Sequence, residues 1–348
     1  MELLQLLPLA LITIAITFAA LLVLRPVALY VGLVDKPSAR KLHNGSVPLI
    51  GGIGIFCAVV SVVAINDLAS QKILPLLGTG AILFLVGLVD DYRPLPVRIR
   101  LLVQLACAGL MLFMTDISIG SLGHIFGFKS EIELGLLAVP VTLLAVVGVT
   151  NAFNLIDGID GLAGSLALIA IGGILILQGQ TGSYQHYEYL LVLGASLIPY
   201  LILNLWKGHR VKIFMGDAGS LFIGYVIVWT LIHQTQVGRP TAVSPTAALW
   251  CIAIPLIDTI GVMARRLLKG HSPFKPDRNH LHHILMRAGF SSIAALILLV
   301  GIAATLLVAG LVLEANAPEW SFPIFLVVFG GYVYLLRHAW KFQKLLKH

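Results

Sequence analysis

LLQLLPLALITIAITFAALLVL, residues 3 to 24, decides the fold. These 22 residues hold no ionisable side chain, and as a helix at ~1.5 Å per residue they reach across the ~30 Å hydrocarbon core of a bilayer. A helix lying on a soluble core would show a charged face, and this one has none. Working outward, ten further apolar runs follow, at roughly 47–66, 73–89, 97–115, 134–150, 159–178, 189–206, 219–235, 245–263, 293–313 and 321–337. The whole chain agrees, being 58% hydrophobic and 11% charged with a mean hydropathy of +0.96. The fold class expected is all-α: a polytopic membrane protein with about eleven transmembrane helices, in a single integral-membrane domain over residues 1–348. Glu2 is the only early charge and no small-residue cleavage site follows, so the first run is expected to be a retained helix, not a cleaved signal.

Basic residues set the expected orientation. With eleven spans, the loops after the odd-numbered ones share a face with the C-terminal tail, and that face carries 20 of the 23 Lys and Arg. Only Lys72, Lys129 and Arg239 lie opposite. The loaded face should be cytoplasmic, with the N-terminus periplasmic and the C-terminus cytoplasmic. The net charge of +7 is then mostly topology, and no nucleic-acid partner is implied. Cys57, Cys107 and Cys251 all fall inside predicted helices, which implies neither a disulfide framework nor a metal–thiolate site.

Every loop on the basic face also holds aspartate, and none holds glutamate: Asp35, Asp90 with Asp91, Asp157 with Asp160, Asp217, and Asp277. The loops near 33–46, 90–98, 151–160, 207–220 and 264–292 are therefore expected to build one polar site at the cytoplasmic mouth of the bundle. Asp90 and Asp91 end a span, where the helix dipole disfavours anions; Arg93 and Arg98 could compensate them, or a divalent cation, or a proton-accepting role. Hard oxygen ligands point to magnesium or manganese over zinc. In KIFMGDAGSL (212–221), Asp217 could cap the following helix, or Gly216 and Gly219 could bring backbone close to a metal-bound phosphate. In NAFNLIDGIDGLAG (151–164), Asp160 could be a cap and Asp157 a turn residue, yet Asn151, Asn154, Asp157 and Asp160 recur every three positions and would line one helical face. In the last loop, Asp277 could cap a short helix ending at Gly289, with His280, His283 and Arg287 on one face, either interfacial or suited to diphosphate oxygens. Asp258, inside the ninth run and two turns before Arg265 and Arg266, reads either as a structural ion pair or as a functional group at depth.

Taken together, DKPSARKLHNGSVPLIGG (35–52), GLVDDYRP (87–94), NAFNLIDGIDGLAG, FMGDAGSLFIG (214–224) and SPFKPDRNHLHH (272–283) resemble, in order, the five cytoplasmic loop motifs of the polyprenyl-phosphate N-acetylhexosamine-1-phosphate transferases. HLHHIL stands where the muramoyl-pentapeptide branch of that family has three adjacent histidines followed by Phe-Glu. Pro94 stands where many relatives carry a third acidic residue. The resemblance implies transfer of N-acetylglucosamine-1-phosphate from UDP-N-acetylglucosamine to undecaprenyl phosphate with release of UMP. That reaction is the first membrane step of O-antigen or related surface polysaccharide synthesis, in the bacterial cytoplasmic (inner) membrane. Another UDP-N-acetylhexosamine, or UDP-N-acetylmuramoyl-pentapeptide, is the alternative donor.

By the same resemblance, Asp217 is the principal Mg2+ ligand, with Mn2+ as the substitute ion and Asn154 as a second ligand or substrate contact. Asp90 and Asp91 face the lipid phosphate, Asp157 and Asp160 the nucleotide and sugar, and Phe214 the uracil ring. Lys41 and Asn204 are nucleotide contacts, while His280, His282, His283 and Arg265 touch the diphosphate or amino sugar. Partners beyond the two substrates are the lipid bilayer and, through Gly-rich helical faces, a second copy in a homodimer. A secondary transporter, with a polar site near the bilayer midplane, and an intramembrane metalloprotease using the histidines are the rival classes.

Overall fold

The structure is a computed structural model that describes residues 3–35, 45–66, 68, 73–127, 130–181, 187–206, 208, 211–238, 243–268, 270 and 280–338. Thirteen α-helices appear among them: α1 Leu3–Val31, α2 Gly51–Ile65, α3 Ile73–Tyr92, α4 Val97–Thr115, α5 Ala138–Ile156, α6 Leu162–Thr181, α7 Tyr187–Asn204, α8 Gly216–Gln236, α9 Pro245–Cys251, α10 Ala253–Leu267, α11 Leu281–Arg287, α12 Ser292–Asn316 and α13 Pro318–Arg337. Two-residue strands β1 (Val34–Asp35) and β2 (Val47–Pro48) pair antiparallel. The chain is an all-helical polytopic membrane protein.

Nine of these helices are long and apolar enough to cross a membrane, and ten spans result if α9 and α10 count as one broken span. Eleven were expected. The run at 47–66 yields α2, of only 15 residues, about 22 Å at the usual rise. The run at 245–263 is two helices meeting at 88°. Ser244 caps α9, its hydroxyl accepting the Thr246 N–H at 3.2 Å, and α9 stops at Cys251. Pro255 falls in the first turn of α10, where no intrahelical N–H is needed. The chain therefore breaks at Ile252, three residues ahead of the proline that marks it.

The helices group into two compact units, Met1–Asp116 with Tyr184–Trp229, and Ile117–Ser183 with Thr230–His348. In the first, α1 packs on α2 and α7, α2 on α7, and α3 on α4. Glycines set the closest approaches. A Cβ on Gly52 or on Gly219 would overlap the other glycine's backbone, and a Cβ on Gly87 would overlap Ala218, so α2 and α3 both meet the first turn of α8 main chain to main chain. Two buried polar side chains of this unit bond each other and the helix backbone: the Tyr225 hydroxyl donates to Thr79 at 2.7 Å, and Thr79 to the Pro75 carbonyl at 2.7 Å.

In the second unit α10 packs on α5 and α13, and α12 on α6, α9 and α13. Trp250, buried, donates its indole N–H to Ser321 at 3.0 Å, and a Cβ on Gly310 would overlap its ring. These contacts hold the short helix α9 against α12 and α13.

Candidate functional site

In the first unit the site begins where α3 ends and α8 starts. The first N–H groups of any helix lack intrahelical partners, and α8 finds its acceptor on another helix. Asp91 takes the Asp217 N–H on Oδ1 at 2.7 Å and the Ala218 N–H on Oδ2 at 3.1 Å. Gly216 makes this possible: its φ of +76° favours glycine, and a Cβ there would overlap the Asp91 carboxylate. The helix dipole that disfavours Asp91 at the end of α3 is offset by the start of α8, whose dipole attracts it.

Because Asp91 does the capping, the Asp217 carboxylate is turned elsewhere. Arg100 Nη1, from the first turn of α4, lies 3.4 Å from Asp217 Oδ2 and bonds Asp90 Oδ2. Asp90 Oδ1 also accepts the Leu95 N–H. Asp90 is nearly buried, with 6% side-chain exposure, against 36% for Asp217. Two carboxylates from α3 and α8 thus share one cation.

The first loop is stitched to the same place by backbone. Phe214 N–H donates to Pro48 O at 2.9 Å, and Gly51 and Gly52 N–H donate to Phe214 O and Met215 O at 2.8 and 2.9 Å. Asn204, buried at the end of α7, donates Nδ2–H to Ile213 O at 2.8 Å and so fixes this strand from the other side. The Phe214 ring is half-buried, with Lys212 Nζ 5.5 Å from its centroid. Lys41, read as a nucleotide contact, lies outside the described residues, as does Asp277.

The second unit gathers the other motifs. α5 runs to Ile156, which places Asn154 in its last turn and Asp157 at its C-cap; Asn151 turns its amide back to Val147 O at 2.7 Å. Asp160 follows on the tight turn closed by Gly161, whose φ is +76°. Against this turn lies α11. His282 is 1% exposed, and a Cβ on Gly158 would overlap its ring. Among the described residues, neither His282 nitrogen has a hydrogen-bond partner. Burial, followed by the charge of His283, pushes the His282 imidazole down to about 3, against the pull of Asp258; the ring is neutral at physiological pH. His282 lies 4.2 Å from His283, centroid to centroid, and parallel to His280 at 6.0 Å. Asp258, fully buried in α10, accepts from His280 Nδ1 at 2.8 Å, from Leu281 N–H at 2.9 Å and from the Tyr332 hydroxyl. Arg265 lies two turns further along α10.

Comparison with known proteins matches residues 73–235 to glycosyl transferase family 4. Across 335 residues, 95% of this chain and 91% of the relative, the chain is 42% identical to the undecaprenyl-phosphate alpha-N-acetylglucosaminyl 1-phosphate transferase of Yersinia pestis. This chain belongs to glycosyl transferase family 4. Like-named relatives from Salmonella typhi (42% identical, 93% of this chain, 89% of the relative) and Haemophilus influenzae (39%, 94% and 93%) cover it to a similar extent. The family 4 match spans the region from α3 to Thr235, with Asp90, Asp91, Asn154, Asp157, Asp160, Asn204, Phe214 and Asp217; the histidine loop lies beyond it.

Two residues of this family 4 member escaped the sequence reading. Arg100 counted there only as a topological charge, although its position in the first turn after Pro96, facing back toward the aspartate pair, was a usable signal. Tyr332 gave no signal at all, because a tyrosine near the end of an apolar run reads as an interfacial anchor.

Proposed function

We propose that the chain transfers N-acetylglucosamine-1-phosphate from UDP-N-acetylglucosamine to undecaprenyl phosphate, giving undecaprenyl-diphospho-N-acetylglucosamine and UMP. The observation that carries this is the cluster of Asp90, Asp217 and Arg100 in a chain 42% identical, over 95% of its length, to relatives named for that reaction. The step is displacement at the β-phosphorus: an oxygen of the lipid phosphate forms the new P–O bond and the UMP oxygen leaves with the electron pair. A phosphate monoester with its second pKa near 6 is roughly nine-tenths dianionic at pH 7, so the nucleophile arrives charged. Asp90 and Arg100 are then positioning and charge-balancing groups for that phosphate. Direct displacement is favoured over an aspartyl-phosphate intermediate, since both Asp91 oxygens are bonded to the start of α8 and both Asp90 oxygens are engaged.

The family implies a divalent ion, magnesium or manganese, and the residues fit one: two carboxylates already converge on a positive group. Asp217, with Asp90 beside it, would hold the ion, which when bound neutralises diphosphate and departing UMP charge. No group of three His, Cys, Asp or Glu forms a cage among the described residues, so water and phosphate oxygens would complete the coordination. Asn154, Asp157 and Asp160 are assigned by their motif to the donor sugar and nucleotide, Phe214 to the uracil, and His280, His282, His283 and Arg265 to the diphosphate or amino sugar.

The Lys and Arg distribution supports a cytoplasmic site in the inner membrane, with the product entering O-antigen or related polysaccharide synthesis. The test is UMP release by purified protein given undecaprenyl phosphate and either UDP-N-acetylglucosamine or UDP-N-acetylmuramoyl-pentapeptide, with and without magnesium. Metal-dependent release with the first donor alone is expected. Release with the second alone would overturn the donor assignment, and no release with any UDP-amino sugar would overturn the reaction.

A further inference from the structure

We propose that Asp258, anchored by Tyr332, is the positioning residue that sets the His280 ring for the donor's diphosphate. The inference rests on the transferase reading above. Asp258 is fully buried, and an ionised carboxylate without partners there would be costly by several kcal/mol. Three donors meet it, from two segments: the start of α11 gives His280 Nδ1 on Oδ2 and the Leu281 N–H on Oδ1, and α13 gives the Tyr332 hydroxyl on Oδ1.

A purely structural role needs less than this. His280 sits at the N-cap of α11 with no side-chain cap bond of its own, and one Asp258 oxygen on the Leu281 N–H already supplies the missing cap. The second oxygen is spent on a ring nitrogen. A carboxylate accepts only, so Nδ1 must carry a proton, and Nε2 is the nitrogen left for a ligand. The parallel His282 ring, neutral and buried, confines His280 on one face. Among the described residues, His283 and Arg265 also act electrostatically on this cluster.

Tyr332 holds the carboxylate from behind. Gly261 leaves the space for it: a Cβ there would come within 2.7 Å of the Tyr332 ring. Gly261 lies three residues after Asp258, on the same face of α10, so the helix α13 is fitted closely enough to deliver a hydroxyl to a buried carboxylate. Comparable partners behind metal-bound histidines change affinity or activity by about 10- to 100-fold when removed.

The experiment is a double-mutant cycle on the full-length protein in detergent, read both as kcat/KM for UDP-N-acetylglucosamine and as equilibrium binding of that donor. Asp258→Asn should lower both by about 10-fold or more, and in the His280→Gln background it should lower them less than about twofold further, because its effect passes through the ring. Asp258→Glu should recover part of the loss. Tyr332→Phe removes one hydroxyl and supplies the same cycle should Asp258→Asn not fold. Equal losses in both backgrounds, or unchanged donor binding in a folded Asp258→Asn protein, would overturn the proposal. A wild-type protein that releases no UMP with any donor would instead overturn the transferase reading.

Discussion

Replacing Gly216 by alanine tests the first-unit site without removing any group proposed to touch substrate. Gly216 has a φ of +76°, and a Cβ there would overlap Asp91. A left-handed conformation costs an L-residue about 1–2 kcal/mol. The overlap cannot be relieved without moving the carboxylate that accepts the Asp217 and Ala218 N–H groups at 2.7 and 3.1 Å. Giving up one such charge-assisted bond costs about 1.5–3 kcal/mol, so the total is on the order of 2.5–5 kcal/mol. Asp217 is the next residue, and a displacement of about 1 Å at a reacting centre lowers rates by about 100-fold. The assays are thermal unfolding in detergent and UMP release at matched magnesium. The expected result is a clearly lower midpoint together with turnover reduced about 100-fold. A variant with wild-type melting and turnover within threefold of wild type would refute the account of Asp91 as the cap of α8.

Asp217→Asn keeps shape and should leave the protein monodisperse while removing nearly all turnover; a tenth of wild-type activity at matched magnesium would sink its role as metal ligand. Gly158→Ala drives a methyl group into the buried His282 ring, and overpacking of this kind costs about 1–3 kcal/mol; a lowered thermal midpoint and a raised KM for the donor are expected, and unchanged values would show that the turn and α11 are not in fixed contact. His282 also makes stability depend on pH. Its folded pKa, about 3, lies below the ordinary value near 6.5, so the unfolded chain takes up a proton that the folded chain refuses. The stabilisation from this ring is complete above pH 6.5 and is lost progressively as pH falls toward 3. Between pH 7 and 5 the wild-type midpoint should therefore drop more than that of His282→Phe, and parallel curves would contradict a buried neutral ring.

The helices were legible because lipid imposes a local rule, and each apolar run in the sequence contains a helix. The places where the count slipped are where length and direction are set by neighbours: α2 is short because its glycine end enters the close approach to α8, and the break at Ile252 is stabilised by the Ser244 cap and by Trp250 on Ser321. Within the site, the aspartates announced themselves as charges in an apolar chain. Their division of labour did not, since Asp90 and Asp91 are adjacent in sequence yet one bonds α4 and the other caps α8. That difference arises from three helices meeting, which no spacing encodes. The same holds for Asp258, where the ion pair with Arg265 and Arg266 was one reading and the bonds run instead to His280, Leu281 and Tyr332.

The meeting of Gly52 with Gly219 has a consequence for how this protein can be altered. Most core contacts can absorb an enlarged side chain if the facing one is made smaller. Here both facing residues already have no side chain, and each would collide with the other's backbone on gaining one. No second-site change at the opposite position can rescue a first, so laboratory selection starting from Gly52→Ala or Gly219→Ala should return only true revertants at these two codons.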